Sequence, residues 1–187
     1  LKGDNDYTGD TDILAGTLYV DGALTGSAIN LSSGAFLGGH GTLTLTSGLT
    51  IGSGATLAPG HSPTTMTVNA TVIQAGGSNL QVDLAGHRYN SMLAVTGTGN
   101  QYILSSTAGG VTLVPQLWNS YVPLLGDAWT LATAEGGVVG IFSALSLPAA
   151  YPSGMSLDVL YGANAIVSYA TPADYRQVTS LGWSWNP

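Results

Sequence analysis

Four aspartates crowd the start of the chain, Asp4, Asp6, Asp10 and Asp12, and the run Asp4-x-Asp6-x-Thr8-Gly9 has the spacing of oxygen donors that opens a calcium loop. Such a loop closes with a bidentate acid at its twelfth position, which here is Ala15. These acids are the metal candidates of the sequence, and a solvated terminus is the preferred reading. His40, His61 and His87 stand 21 and 26 residues apart, a spacing that can bring histidines onto neighbouring turns of a repeating fold. Zinc asks for three or four ligands with an oriented outer shell, and neither helical His pairs nor any cysteine accompany these three. Ser62 beside His61 lacks a Gly-x-Ser-x-Gly elbow, and adjacency does not make a nucleophile and base. Asp83 and Asp158 lie in alternating runs and could form a glycosidase-type carboxylate pair across stacked turns. Outward-facing solubilising acids are the competing, preferred account. Aromatic faces on a weakly charged surface suit sugars, and of the four tryptophans Trp183 and Trp185 are the ligand-binding candidates, with Trp129 assigned to the core. No catalytic residue and no cofactor site is assigned.

The elements that would hold these residues are set by composition. Only 7% of residues are charged, against about 25% in an ordinary globular protein. Thr, Ser, Asn and Gly must therefore cover the surface. Three cations against ten acids give a net charge of −7, which leaves little to neutralise phosphate, so nucleic acid is excluded as a partner. Apolar residues fall in short alternating runs and none approaches the roughly 18–20 residues of a membrane helix. Membrane insertion by this chain is not expected. The lack of cysteine removes disulfide and thiolate-metal frameworks.

The segment 48–63 sets the architecture. Leu49 and Ile51 alternate with small or polar residues, Gly52 to Ala55 make a corner, and Leu57 resumes the apolar face. The same phrase surrounds Leu37 and Leu80, so that Leu37, Leu57 and Leu80 are separated by 20 and 23 residues. A period of roughly 20–30 residues marks stacked repeats, each too short to bury its own apolar face. Period two dominates, glycine corners such as Gly54 permit tight bends, and Thr, Val, Leu and Ile suit pleated walls.

Along the chain, Ile13 to Val20 reads as the first strand, Pro59 to Pro63 as a loop or widened corner, and Ala85 to Asn90 as the break beyond which the short period is lost. Met155–Leu160 and Ala165–Tyr169 read as a closing hairpin, and Thr171-Pro172 as the N-cap and first turn of a short helix. The expected organisation is an all-β chain: a parallel β-helix over 1–85, a β-rich C-terminal cap over 86–170, and a linker or tail over 171–187. A stack of coils leaves an open apolar end, which is why a cap is expected. Leu37, Leu57, Leu80, Gly54 and Pro59 are the structural residues of the coils, and Trp129, Phe142 and Leu147 those of the cap. Opening at Leu1 with no basic, apolar leader leads to the expectation of a piece cut from a longer chain.

Several phrases carry a family resemblance. They are Tyr7-Thr8-Gly9-Asp10-Thr11, Ala15-Gly16-Thr17-Leu18-Tyr19-Val20-Asp21-Gly22, Gly39-His40-Gly41-Thr42-Leu43 and, most specific, Ser53-Gly54-Ala55-Thr56-Leu57-Ala58-Pro59-Gly60-His61-Ser62-Pro63. Further on come Gly126-Asp127-Ala128-Trp129-Thr130-Leu131, Gly140-Ile141-Phe142-Ser143 and Leu157-Asp158-Val159-Leu160-Tyr161-Gly162. Over about residues 7 to 170 the chain resembles the C-terminal passenger region of bacterial autotransporters and their associated β-strand repeats. His61 in place of a frequent Asn, and Gln74 in place of an apolar residue, depart from the pattern.

The resemblance implies a right-handed parallel β-helix carried to the cell surface or outside the cell, with a cap that helps the passenger fold after export. Its expected partners are an upstream passenger region and a C-terminal translocator or anchor, since no array of membrane strands lies before Pro187. The expected work is mechanical and folding-related, not enzymatic. An adhesin module that binds glycans or a host surface is the second hypothesis, and a fragment of a β-helical polysaccharide-active enzyme the third.

Overall fold

Alternation with period two sends one face of each run inward, and threonine keeps the other face wet. In Thr42–Ile51, Leu43, Leu45, Leu49 and Ile51 are buried while Thr42, Thr44, Thr46 and Thr50 are exposed. A computed structural model describes residues 1–60, 63–107 and 109–173, and these form an all-β fold of one 11-stranded and one 7-stranded sheet.

The chain feeds the two sheets in alternation. Thr11–Ile13 (β1), Ala23–Leu31 (β3) and Thr42–Ile51 (β5) belong to the larger sheet, while Gly16–Tyr19 (β2), Ala35–Gly39 (β4) and Thr56–Pro59 (β6) belong to the smaller. Strand β5 pairs with β3 along one edge and with two strands along the other. Its first half pairs with Thr65–Asn69 (β7) and its second with Val72–Gln74 (β8), the change falling near Gly48. Asn79–Gly86 (β9) then returns to the smaller sheet beside β6 and folds back as a hairpin on Tyr89–Asn90 (β10). Met92–Val95 (β11), Tyr102–Leu104 (β12) and Val111–Leu117 (β13) lie parallel to β7, β8 and β9. Ala128–Ala134 (β14), Val138–Val139 (β15) and Phe142–Leu145 (β16) repeat the arrangement on β11, β12 and β13. The last two strands then reverse direction, as β10 does on β9. Met155–Tyr161 (β17) and Ala165–Pro172 (β18) pair antiparallel, and β18 also pairs antiparallel with β14.

Register turns sequence period into columns. Leu18, Leu37, Leu57, Leu80 and Leu113 are direct neighbours in successive parallel strands, and Leu37, Leu57 and Leu80 have no exposed surface. Each fully buried leucine contributes about 1.5–3 kcal/mol relative to an exposed one. A second column runs Ile29, Leu49, Val72, Tyr102 and Val138, and a third Leu24, Leu43, Val68 and Val95. At the corners, Gly34, Gly54, Gly77 and Gly110 all have positive φ, between +67° and +82°. They are linked in file: Gly34 N–H donates to Gly54 O, Gly54 N–H to Gly77 O, and Gly77 N–H to Gly110 O. A side chain at Gly54 would put its Cβ 2.4 Å from Ser33 Oγ. All four corners take a backbone that favours glycine; at Gly54 and Gly110 a Cβ would also meet a serine of the neighbouring layer, whereas at Gly34 it would meet open space.

Four expectations are corrected. The run Ile13–Val20 is not one strand, because it breaks at Leu14–Ala15, leaves Leu14 exposed and continues in the other sheet after Gly16 at φ +76°. Pro59 does not open a loop. It ends β6 opposite Gly39 and is buried, which a proline tolerates at a strand end where no ladder donor is asked of it. Loss of the short period after residue 85 does not end parallel stacking, since the β9–β10 hairpin merely inserts residues before the next parallel layer. Thr171 and Pro172 are the last residues of β18, not a helix start, and the rest of the expected helix lies outside the described residues.

Candidate functional site

The residues first considered for chemistry are dispersed. Asp4 and Asp6 are exposed at the N-terminus, while Asp10 Oδ1 accepts the Ala28 amide at 3.1 Å and Asp12 Oδ1 accepts the Asn30 side-chain amide at 2.9 Å. Two of the four acids therefore tie β1 alongside β3. Among the described residues no three His, Cys, Asp or Glu side chains gather as metal ligands. His40 Nε2 sits 3.6 Å from Asp21 Oδ1. His61, Ser62, Trp183 and Trp185 lie outside the described residues. Asp83, on β9, and Asp158, on β17, belong to different sheets, and burial raises the Asp158 carboxyl above its ordinary range.

The structural candidates of the cap meet one another more closely. Trp129 has no exposed surface, its Nε1 donates to Gly86 O at 2.7 Å, and Tyr121 packs edge-on against it with ring centroids 6.4 Å apart. Phe142 is half-buried against Tyr161 at 6.2 Å, and Leu147 packs on the margin of the core. Between Trp129 and the β9–β10 hairpin lies a carboxylate that no sequence pattern singles out. Asp127 is 6% exposed, and its Oδ2 accepts the Tyr121 hydroxyl and, at 2.8 Å, the Leu124 amide. His87 Nδ1 lies 3.1 Å from Oδ1.

Burial alone would raise the Asp127 carboxyl, but the Tyr121 hydroxyl, the Leu124 amide and His87 together outweigh it and hold the group below its ordinary value. Tyr121 is pushed up by its own burial and by that carboxylate, and burial and Asp127 raise Tyr151 to about 12. A carboxylate whose lone pairs are engaged by three donors is a fastener, not a free base. Around it the Arg88 amide donates to Ala128 O at 3.0 Å and Asn90 Nδ2 to Thr130 O at 2.8 Å. Ala170 N–H donates to Asp127 O at 2.9 Å. One cluster thus joins the hairpin after β9, the 121–127 segment, β14 and β18. Residues forty positions apart follow no spacing rule, so the sequence carried no signal for it beyond the turn phrase Gly126-Asp127.

A second feature lies on the outer face of the smaller sheet. Tyr19 on β2, Phe36 on β4 and Trp118, just past β13, line a depression of about 380 Å³ together with Ala58, Pro59, Gln81 and Asp83. Tyr19 meets Phe36 edge to face at 5.9 Å. The Tyr19 ring lies over Gly38, where a Cβ would stand 2.7 Å from it. Trp118 begins a single 3-10 turn in which Asn119 and Ser120 both take positive φ, 47° and 59°.

No protein-family model matches this chain, and no curated protein matches it either.

Proposed function

We propose that the chain is a structural, folding-assisting segment of a secreted or surface-displayed bacterial passenger of the autotransporter type. In this reading the coils form a parallel β-helix, right-handed as parallel crossovers in one sheet almost always are. The β-rich C-terminal region caps it, and together they hold an upstream effector or adhesin region away from the membrane. The reading is non-catalytic and needs no cofactor.

The observation that carries it is the change of direction at β14. Every earlier layer offers its edge to a parallel strand, but β18 takes the edge of β14 antiparallel and β17 closes on β18. An open edge of N–H and C=O groups invites another chain, and a reversed hairpin is a means of ending the stack. The Asp127 cluster supports the same reading, because it fastens β18 and β14 to the hairpin of the preceding layer.

The test is refolding from urea of the full chain against a chain ending after Ser153, which lacks β17 and β18. The shortened chain is expected to lose refolding yield to aggregation and to refold more slowly. Equal yield and rate for both chains would overturn the proposal.

A further inference from the structure

We propose that the depression between Tyr19 and Trp118 is a binding site for a neutral oligosaccharide. Tyr19 and Trp118 are 41% and 40% exposed, and both rings line the same depression, with Phe36 as a third. The lining residues on strands come from β2, β4, β6 and β9, four neighbouring strands that span three spacings, or about 14 Å. That length accommodates a short chain of sugars in preference to a single ring.

Small residues, Ala58 and Gly60, share the lining with Phe36. Gly38 and Ala58, each the residue after an inward leucine, Leu37 and Leu57, are register partners on β4 and β6 and are both buried, and Ala58 lines the groove. Trp118 is aimed by two successive non-glycine residues in left-handed backbone, Asn119 and Ser120. Such dihedrals persist where the surroundings impose them, and they concentrate where a side chain must be presented. In the same lining, Gln81 supplies an amide that donates and accepts, and Asp83 a carboxylate that accepts, its Oδ2 also taking the Ser91 hydroxyl at 3.4 Å. Aromatic faces against the C–H faces of pyranose rings, with amide and carboxylate groups against hydroxyls, is the chemistry of glycan recognition.

Charge narrows the class. Among the described residues no cation lines the groove, which carries Asp83, and the whole chain has net charge −7. Uronic acids, sulfated sugars and phosphates are disfavoured.

The full chain is titrated with cello-, laminari-, malto- and manno-hexaose by saturation-transfer NMR and calorimetry, with choline and a polyproline peptide as competitors. At least one hexasaccharide is expected to bind and to receive saturation on its ring C–H protons. Trp118→Ala and Tyr19→Ala should each weaken it about tenfold, and Trp118→Phe should keep most of the affinity. Both rings are partly exposed, so the variants should retain the urea midpoint of the parent. Should Trp118→Ala lower that midpoint, Gln81→Ala replaces it and is expected to weaken the same sugar. Absence of binding by every hexasaccharide at about 10 mM overturns the proposal. So does binding that survives these substitutions, or a groove that takes choline or polyproline and no sugar. None of these outcomes bears on the refolding test of the capping role.

Discussion

Gln74 occupies a place between Ile51 and Leu104 in an otherwise apolar column and is fully buried. The sequence marked it as a departure from the apolar pattern but gave no reason. The reason is Tyr102, stacked on Val72 in the adjoining column, whose hydroxyl donates to Gln74 Oε1 in a region without water-exposed surface. Gln74 Nε2 in turn donates to Asn79 O at 3.0 Å. Burial keeps the Tyr102 phenol protonated far above its ordinary value, so it remains a donor. Tyr102→Phe strands the amide oxygen and should cost about 1–3 kcal/mol in urea unfolding. The double variant with Gln74→Leu should lose less than the sum of the two single variants, because both unsatisfied groups go together. Strict additivity would contradict the pairing. Asp127 gives a pH signature. Its folded pKa lies below the unfolded value of 3.8, so the stability it contributes is complete above 3.8 and is lost as pH falls through the lowered folded value. Asp158, raised by burial, has the opposite sign: its contribution is complete below 3.8 and is lost as pH rises through the raised value. Stability against pH should therefore lose part of its acid limb in Asp127→Asn, with about 1–3 kcal/mol lost at pH 7. Asp158→Asn should gain stability at pH 7, and identical profiles for parent and variants would contradict both assignments.

At the scale of elements, the corners were more legible than the strands between them. Gly52 to Ala55 was read as a turn from its composition, and β5 and β6 end and begin on either side of it. The run around Leu14 was not legible as a corner, because alternation continues through it in the sequence and only the positive φ of Gly16 turns the chain. Pro59 misled for the opposite reason. A missing donor suggested a loop, but the last residue of β6 owes none to the ladder. The hairpin β9–β10 lengthened one repeat and so hid the layers after it from a search for short periods. Corners also differ in what surrounds them. Gly16 and Gly54 share a φ near +77°, at +76° and +78°, but a Cβ at Gly16 meets open space while one at Gly54 meets Ser33 Oγ at 2.4 Å. Gly16→Ala should cost about 1–2 kcal/mol for the left-handed backbone alone. Gly54→Ala should cost more, with a lower thermal midpoint, since the clash adds to the same strain. Equal losses would show that the stacked corner yields without penalty.

At the scale of the molecule, the leucine column states how the fold ends. Leu37 through Leu113 are buried within it, while Leu145, the next residue in register, is 36% exposed. The larger sheet is instead closed at β14 by the reversed hairpin. The leucine column and the spacing of its members were legible because they rest on apolar alternation. The fastening of the cap was not, because Asp127, His87 and Trp129 are joined only by the fold. If the cap organises folding, its contacts form before the rate-limiting barrier and those of the first layers after it. The most direct measurement is a pair of chevrons in urea for Ile166→Val in β18 and Ile29→Val in β3, both fully buried and each costing about 0.5–1.5 kcal/mol. Ile166→Val should slow refolding and leave unfolding nearly unchanged, and Ile29→Val should speed unfolding and leave refolding nearly unchanged. The reverse pattern, with β3 governing the refolding arm and β18 the unfolding arm, would contradict the capping role.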